Sequence, residues 1–265
     1  LKDEVSQNRN YAKVKAVVDE FITGTLDKIA SGAKKAASGA TGSEAIGGAT
    51  NSGQDAVAAD ATSVNSLVKG IKEIVGVVLK EGEGNLEASK TAENEKKSIG
   101  KLFGEKSSDG TEQQAAAASA SIGAVSGADI LRAIAGSGET ASEPEIEKAK
   151  NAAEIAAAKK EASKEIKNEA QKDAIIAGGI ALRGMAKDGK LAAKASEEKS
   201  ANAVNGAVAS AVGKTLSTLI IGIRDTVDSG LKKIKEELGK VKEEDRVEEV
   251  GNPAEATARA SVKEK

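Results

Sequence analysis

The chain has 265 residues, no cysteine, no histidine and no tryptophan, and its 39 basic and 41 acidic side chains leave a net charge of −2. These numbers exclude disulfides, thiolate or imidazole metal sites and any catalytic set that needs a histidine base. Interspersed charge and only two Phe and one Tyr also argue against a nucleic-acid binder, which needs a basic surface and stacking rings.

Alanine, the strongest helix former, dominates the composition, so the expected fold class is all-α. It should be an elongated helical bundle with long Gly/Ser/Ala-rich loops, a thin core and at most a few very short strands. Val14, Val17, Val18, Phe21, Ile22, Leu26 and Ile29 recur at spacings of three and four and predict a first helix, with Gly32 weakening the pattern. Residues 39–53 read as a loop. A second stripe, Val64, Leu67, Val68, Ile71, Ile74, Val75, Val78 and Leu79, predicts a buried helix capped by Asp60, Thr62 or Ser63 and ended by Gly82. The polar stretch 81–97 suggests no definite element. Gly104 to Gly110, with Asp109-Gly110, predicts a turn.

A helix is expected from about Gln113 through the alanine cluster, and another from Gly127 to Ala135 through Ile130, Leu131 and Ile134. Ser142-Glu143-Pro144-Glu145 has the makings of a helix start, and the Ala/Lys/Glu stretch to Ala170 predicts a solvated outer helix laced by opposite charges. Ile175, Ile176, Ile180, Leu182 and Met185 predict a core helix stopped at Asp188-Gly189, with Gly178-Gly179 allowing another helix close. A long stripe from Val204 through Val208, Val212, Leu216, Leu219, Ile220, Ile223, Val227, Leu231 and Ile234 to Leu238 predicts the last helix, with a break allowed near Ser229-Gly230. This helix and the first one are the expected partners of a central bundle. One domain should therefore occupy residues 1–240, with a charged tail over 241–265. No stretch approaches the roughly 18 uninterrupted apolar residues of a membrane span.

Candidate chemistry is sparse. Gly213-Lys214-Thr215 carries only the last part of a phosphate-loop motif and sits inside an apolar stripe, so helix interior is the expected reading. Glu243/Glu244 and Glu248/Glu249 are carboxylate pairs without environments that would separate their pKa values, so they predict a solvated face. No calcium-loop pattern D-x-[DN]-x-[DN]-G occurs. No catalytic residue, cofactor or metal site is expected. Arg224, Lys232, Lys233 and Lys235 form the one basic cluster that could attract a polyanion, although Glu236 and Glu237 dilute its field.

The run Ile180-Ala181-Leu182-Arg183-Gly184-Met185-Ala186-Lys187-Asp188-Gly189-Lys190 resembles the invariable segment of the Borrelia variable large protein family, VlsE-like surface lipoproteins. Further matches follow the same chain order: Val68-Lys69-Gly70-Ile71-Lys72-Glu73-Ile74-Val75, Gly100-Lys101-Leu102-Phe103-Gly104, Ala124 to Ile134, and Ser229-Gly230-Leu231-Lys232-Lys233. Together they span about Val64 to Leu238. Gly178-Gly179, where VlsE is alanine-rich, and the charged tail depart from VlsE and point toward the relapsing-fever members. The resemblance implies an α-helical outer-surface lipoprotein of the cell outer membrane, used in antigenic variation and immune evasion. Its expected partners are host antibodies, and it is expected to attach to the membrane through an N-terminal lipid on a cysteine preceding Leu1. It also implies that Ile180–Lys190 is largely buried. The expected variable, exposed stretches are 39–53, 82–97, 104–114 and 137–143. The alternative function is adhesion to a host ligand, a sulfated glycosaminoglycan or a complement regulator. A thin core also leaves a homodimer as an expected assembly.

Overall fold

The computed structural model describes residues 9–40 and 50–250. Nine α-helices follow one another among these residues: α1 (Arg9–Phe21), α2 (Asp27–Gly39), α3 (Ala61–Val78), α4 (Glu93–Ser98), α5 (Glu112–Ala124), α6 (Gly127–Ala135), α7 (Ala152–Ala157), α8 (Asp173–Met185) and α9 (Ser200–Val250). Short 3-10 turns lie at Ile99–Phe103, Ile146–Lys148 and Asn168–Ala170. Extended pairing among the described residues is limited to two isolated antiparallel bridges, Ala40 with Ala186 and Val57 with Lys190. The all-α expectation therefore holds. The expected loop at 39–53 and the tail fall partly outside the described residues, at 41–49 and 251–265.

The chain divides into two compact units, one drawn from Leu1–Asp27 and Asp225–Lys265, the other Lys28–Arg224. In the first, α1 passes into a π-helical turn at Ile22–Leu26, whose Thr-Gly-Thr centre is poor in helix formers. Val14 and Val241 are buried here. Gly230 lies against Phe21 so closely that a Cβ there would fall 2.0 Å from the ring. The expected break at Ser229-Gly230 is absent, and α9 runs unbroken past Gly239 to Val250. The glycine that looked like a weak point is instead where a neighbouring side chain presses on the helix.

In the larger unit every member of the second stripe is buried, Val64 to Val78 on α3 and Leu79 at its C-cap. Asp60 caps this helix by accepting from Ser63 N at 2.8 Å. Helix α2 continues through Gly32, which meets Gly70 of α3: a Cβ on Gly32 would sit 2.7 Å from the Gly70 carbonyl oxygen. Small residues thus let two backbones approach where bulky ones would hold them apart. Capping boxes start α5 (Thr111/Gln114) and α6 (Ser126/Asp129), each satisfying two otherwise orphaned donors.

The stretch 142–170 corrects the sequence reading. A long outer helix was expected, but only Ala152–Ala157 is α-helical, and the chain on either side is irregular. Ser142 caps nothing among the described residues, Glu143 takes φ +53°, and Ile146, Ala149, Ala152, Ala153, Ile155 and Ile166 are buried. Charges expected to pair along one helix instead pair between turns, as in Lys164–Glu147 at 2.9 Å and Lys167–Glu147 at 2.6 Å. Burial of isoleucines pointing in different directions outweighs the modest helix preference of the Ala/Lys/Glu composition.

Candidate functional site: the buried Ile180–Lys190 segment and the loops around it

Helix α8 is apolar on every side, which a soluble protein tolerates only at the centre of a core. Residues from Asp173 to Arg183, and Met185, are buried. Gly179 admits Ile155 of α7, since a Cβ would lie 2.4 Å from its Cγ2, and Gly178 admits Ala152 and Ile134 at 3.1 and 3.2 Å. At the N-terminus the buried Asp173 carboxylate accepts from Lys90 N at 2.5 Å, Thr91 N at 2.9 Å, Thr91 Oγ1 at 2.5 Å and Ser121 Oγ at 2.8 Å. Burial pushes its pKa up, yet the donors from Thr91, Lys90 and Ser121 together hold it below the usual carboxylate value.

Arg183 is the largest fully buried side chain, 1% exposed. Its Nη1 donates to the carbonyls of Ala156 and Ala158, both at 2.9 Å, and its Nε to Lys190 at 2.9 Å. The guanidinium also lies 4.8 Å from the centroid of the Phe103 ring. Desolvation pulls its pKa down to about 9, which still leaves it charged at neutral pH. Nη2 finds no hydrogen-bond partner among the described residues. The cation is thus held by carbonyl dipoles at the end of α7, and by an aromatic face, rather than by a carboxylate. Two other basic side chains close helix ends in the same way. Arg132 donates to carbonyls of Lys80 and Glu83 beyond α3 at 2.6 and 2.8 Å. Lys214 donates to those of Ile122 and Val125 at the end of α5, at 2.8 and 2.7 Å.

Beyond Met185 the segment turns sharply. Asp188 has φ +65°, and a Cβ on Gly189 would fall 2.1 Å from the Arg183 carbonyl oxygen, so only glycine fits. Lys190 and Val57 exchange both backbone hydrogen bonds at 2.9 and 3.0 Å. Of Ile180 to Lys190, only Lys187 and Asp188 are exposed, with Gly184 and Lys190 half-buried. The segment is largely buried, as the resemblance implies.

The loops around this core are gripped chiefly through their main chains. Asp129 accepts from Asn85 N at 2.7 Å, Asp109 from Ser163 N at 2.8 Å and Asp55 from Lys106 N at 2.9 Å. The Lys106 backbone donor holds the Asp55 carboxyl below its usual pKa against the opposing effect of burial, with the Lys160 charge helping. Gln171 Nε2 donates to the Glu93 carbonyl at 3.0 Å. Side chains at 81–83, 85–87, 89, 90, 92–95, 106–108, 138, 139 and 141–143 are exposed. The middles of three expected variable stretches therefore face solvent, while Lys96, Gly104, Asp109, Gly110, Gln114, Ser137 and Thr140 at their ends or within them are buried. A cleft of about 590 Å³ opens beside Leu86, Gly136 and Ile175. Its rim carries both signs, and Lys172 pairs with Glu87 at 3.3 Å, so it selects neither anions nor cations.

The basic candidates Arg224, Lys232, Lys233 and Lys235 are all exposed on α9. At about 100° per residue, Arg224 and Lys235 nearly eclipse one another along the helix, with Asp228 on the same face, while Lys233 points about 160° away from Lys235. Helix geometry therefore does not gather the four into one patch. Lys214 and Thr215 are spent inside the helix: Lys214 caps α5, and Thr215 Oγ1 donates back to the Ala211 carbonyl at 2.7 Å. The side chains of Glu243, Glu244, Glu248 and Glu249 lie outside the described residues. Over Ser200–Val241, α9 is long and apolar enough to cross a membrane by length and composition, with mean hydropathy 1.5 in an 18-residue window. Val204, Ala207, Val208, Ala211 and Val212 of that helix are buried in the protein core, whereas Ile220, Ile221, Leu231 and Leu238 further along it are exposed.

Sequence reasoning did not find the grip on the loops. Its signals were isolated polar residues inside apolar helices, such as Arg183 beside Leu182 and Asp173 before Ile175, which a purely amphipathic reading passes over.

Comparison with known proteins agrees with this picture. The model of the Borrelia lipoprotein family matches residues 1–238. Variable large protein 4 of Borrelia hermsii is 58% identical, over 97% of this chain and 74% of that protein. Variable large protein 17 of the same organism is 57% identical, over 97% and 73%. The crystal structure of the Lyme disease variable surface antigen VlsE of Borrelia burgdorferi superposes with a TM-score of 0.74 at 38% identity, covering 84% of this chain and 77% of that one. The chain belongs to the Borrelia lipoprotein family that includes the variable large proteins.

Proposed function

We propose that this protein is a variable surface antigen, a lipid-anchored protein of the outer membrane whose exposed loops are what host antibodies meet and whose exchange for related copies evades them. The observation that carries this reading is the division of labour around Ile180–Lys190. Side chains on the helices, buried Asp173 and half-buried Asp129 and Arg132, hold the loops largely by main-chain N–H and C=O groups. Substitution of the outward side chains then changes the antibody-facing chemistry at little cost to the fold. This needs no catalytic group, and the family is one of surface antigens.

The test is to raise sera against the intact protein and map them with loop-swapped variants and with a peptide spanning Ile180–Lys190. Binding should fall with swaps at 82–97, 104–114 or 137–143, and the peptide should compete weakly. Sera dominated by antibodies that bind Ile180–Lys190 in the native protein would overturn the reading.

A second reading, adhesion to a sulfated glycosaminoglycan, draws on the exposure of Arg224, Lys232, Lys233 and Lys235, although the helix spreads them around its circumference. It requires salt-sensitive binding to heparan or dermatan sulfate that is lost on reversing Lys232 and Lys233, and absence of binding at low salt removes it.

A further inference from the structure

Two asparagines grip two loops in the same manner. Asn65, in the second turn of α3, accepts at Oδ1 from Thr140 N at 2.8 Å and donates from Nδ2 to the Thr140 carbonyl at 3.1 Å. Asn205, in the second turn of α9, accepts from Thr50 N at 3.0 Å and donates to the Thr50 carbonyl at 2.9 Å. The partners stand 75 and 155 residues apart in sequence. In both places the threonine hydroxyl turns to donate to the carbonyl of the next residue, Ala141 or Asn51, at 3.1 Å. Both threonines are buried, at 6% and 8% exposure, while Glu139, Ala141, Ser142, Asn51 and Ser52 beside them are exposed.

A primary amide carries one acceptor and one donor side by side, so it can pair with the N–H and C=O of a single residue as a neighbouring strand would. A carboxylate lacks the donor, a hydroxyl is too small to span both groups, and an ammonium lacks the acceptor. Asparagine is a mediocre helix former, so its place in the interior of two helices is not explained by local preference. In both places the amide pairs with the main chain of the threonine.

We infer that Asn65 and Asn205 are loop-positioning residues. They fix the presentation of residues 137–143 and 50–53 through the backbone of Thr140 and Thr50, leaving the outward side chains of Ala141, Ser142, Asn51 and Ser52 free to vary. The consequence for antibodies rests on the antigen reading above; the geometry does not.

The experiment uses the full chain and the variants Asn65→Ala and Asn205→Ala, with an Ala141→Ser/Ser142→Ala double variant as the loop-side control, which leaves the Lys69–Glu139 ion pair in place. Alanine improves helix propensity, so a weakened α3 or α9 would not explain a loosened loop. Amide hydrogen exchange at native pH is read peptide by peptide, together with the binding of monoclonal antibodies that map to 137–143. Asn65→Ala should speed exchange around Thr140 by about tenfold or more, the ratio two lost hydrogen bonds of ordinary net worth imply. It should leave 50–53 unchanged and weaken loop-directed antibodies that depend on the native fold. Asn205→Ala should show the converse pattern in exchange. The double variant should leave exchange around Thr140 within about twofold, because the main-chain bonds remain. Unchanged exchange around Thr140 in Asn65→Ala, or equal loosening by the double variant, overturns the inference. So does accelerated exchange with undiminished binding by those antibodies. Sera that contain no antibody to these loops would instead overturn the antigen reading, and exchange would still decide whether the asparagines position the loops.

Discussion

Replacing Arg183 by Met removes the buried guanidinium while roughly filling its volume, and the outcome depends on how its bonds weigh against its desolvation. Three charge-assisted hydrogen bonds at 2.9 Å contribute roughly 1.5–3 kcal/mol each. The desolvated contact with Phe103 adds about 1–2 kcal/mol. Against this stands the effective penalty of burying an ion, itself several kcal/mol. The carbonyls left behind decide the sign. Lys190 keeps a donor in Val57 N and Ala156 keeps one in Ala59 N, but Ala158 has no second donor among the described residues. One orphaned buried carbonyl costs about 1–3 kcal/mol. The net expectation is a loss of about 3 kcal/mol, which for a unit of this size lowers Tm by roughly 6–12 °C. Arg183→Lys should not rescue, because a single ammonium keeps the charge but lacks the planar fork that reaches both α7 and Lys190. Urea and thermal unfolding followed by helical circular dichroism measure both variants. A Met variant within about 1 kcal/mol of the parent would refute the reasoning, since the guanidinium would then only break even with its own desolvation.

Two further outcomes follow from the packing and the charges. Gly179→Ala forces a Cβ to 2.4 Å from Ile155 Cγ2 and should destabilise by about 1–3 kcal/mol, whereas Gly213→Ala, with nothing within 4 Å, should stabilise α9 by up to about 1 kcal/mol; matched thermal melts check the pair. Hydrogen bonds from Lys167 and then Lys164 pull the Glu147 pKa from 4.5 to about 2. A carboxylate depressed in the folded state contributes stability that is present above about 4.5 and is lost as the pH falls toward 2. Glu147→Gln should therefore flatten the fall of Tm between pH 5 and pH 2 relative to the parent, and identical profiles would show that the two lysines do not hold that carboxylate.

Where apolar residues recur at a helical period and stay on one face, the sequence was legible. The stripe from Val64 to Val78 became a buried face of α3, with Leu79 buried at its C-cap and Asp60 capping its start. The stop at Asp188-Gly189 was legible because its left-handed turn needs small or polar residues. Residues 142–170 were misread because helix propensity and charge spacing are local, while the fold there is decided by distant contacts. A warning was available: at about 100° per residue, one helix would point Ile146 and Ile155 to opposite faces, and both are buried. Two glycines were misread in a related way: Gly32 and Gly230 look like helix weak points until the neighbour that presses on each is known, whereas Gly178-Gly179 was legible as the place where another helix comes close. The site itself was legible as a family segment but not as a mechanism, because Arg183, Asn65 and Asn205 act on carbonyls and amides that carry no sequence signature.

That last point bears on how such a fold can diverge. A loop held by its own side chains loses its conformation when those side chains change. A loop held by its backbone, from polar residues on packed helices, transfers the burden of conservation to the anchors. Asp173, Asp129, Arg132, Asn65 and Asn205 each reach a loop main chain from a helix. The buried cation at Arg183 belongs to the same logic on the other side, because it ties the end of α7 to the turn that follows α8. Retention of the fold at 38% identity with VlsE is what this arrangement allows, since an anchor needs from its loop only an N–H and a C=O, which every residue but proline supplies. Proline is thus the substitution such loops should tolerate least, specifically at Thr50, Asn85, Lys90, Thr91 and Thr140, where an anchor accepts the backbone N–H.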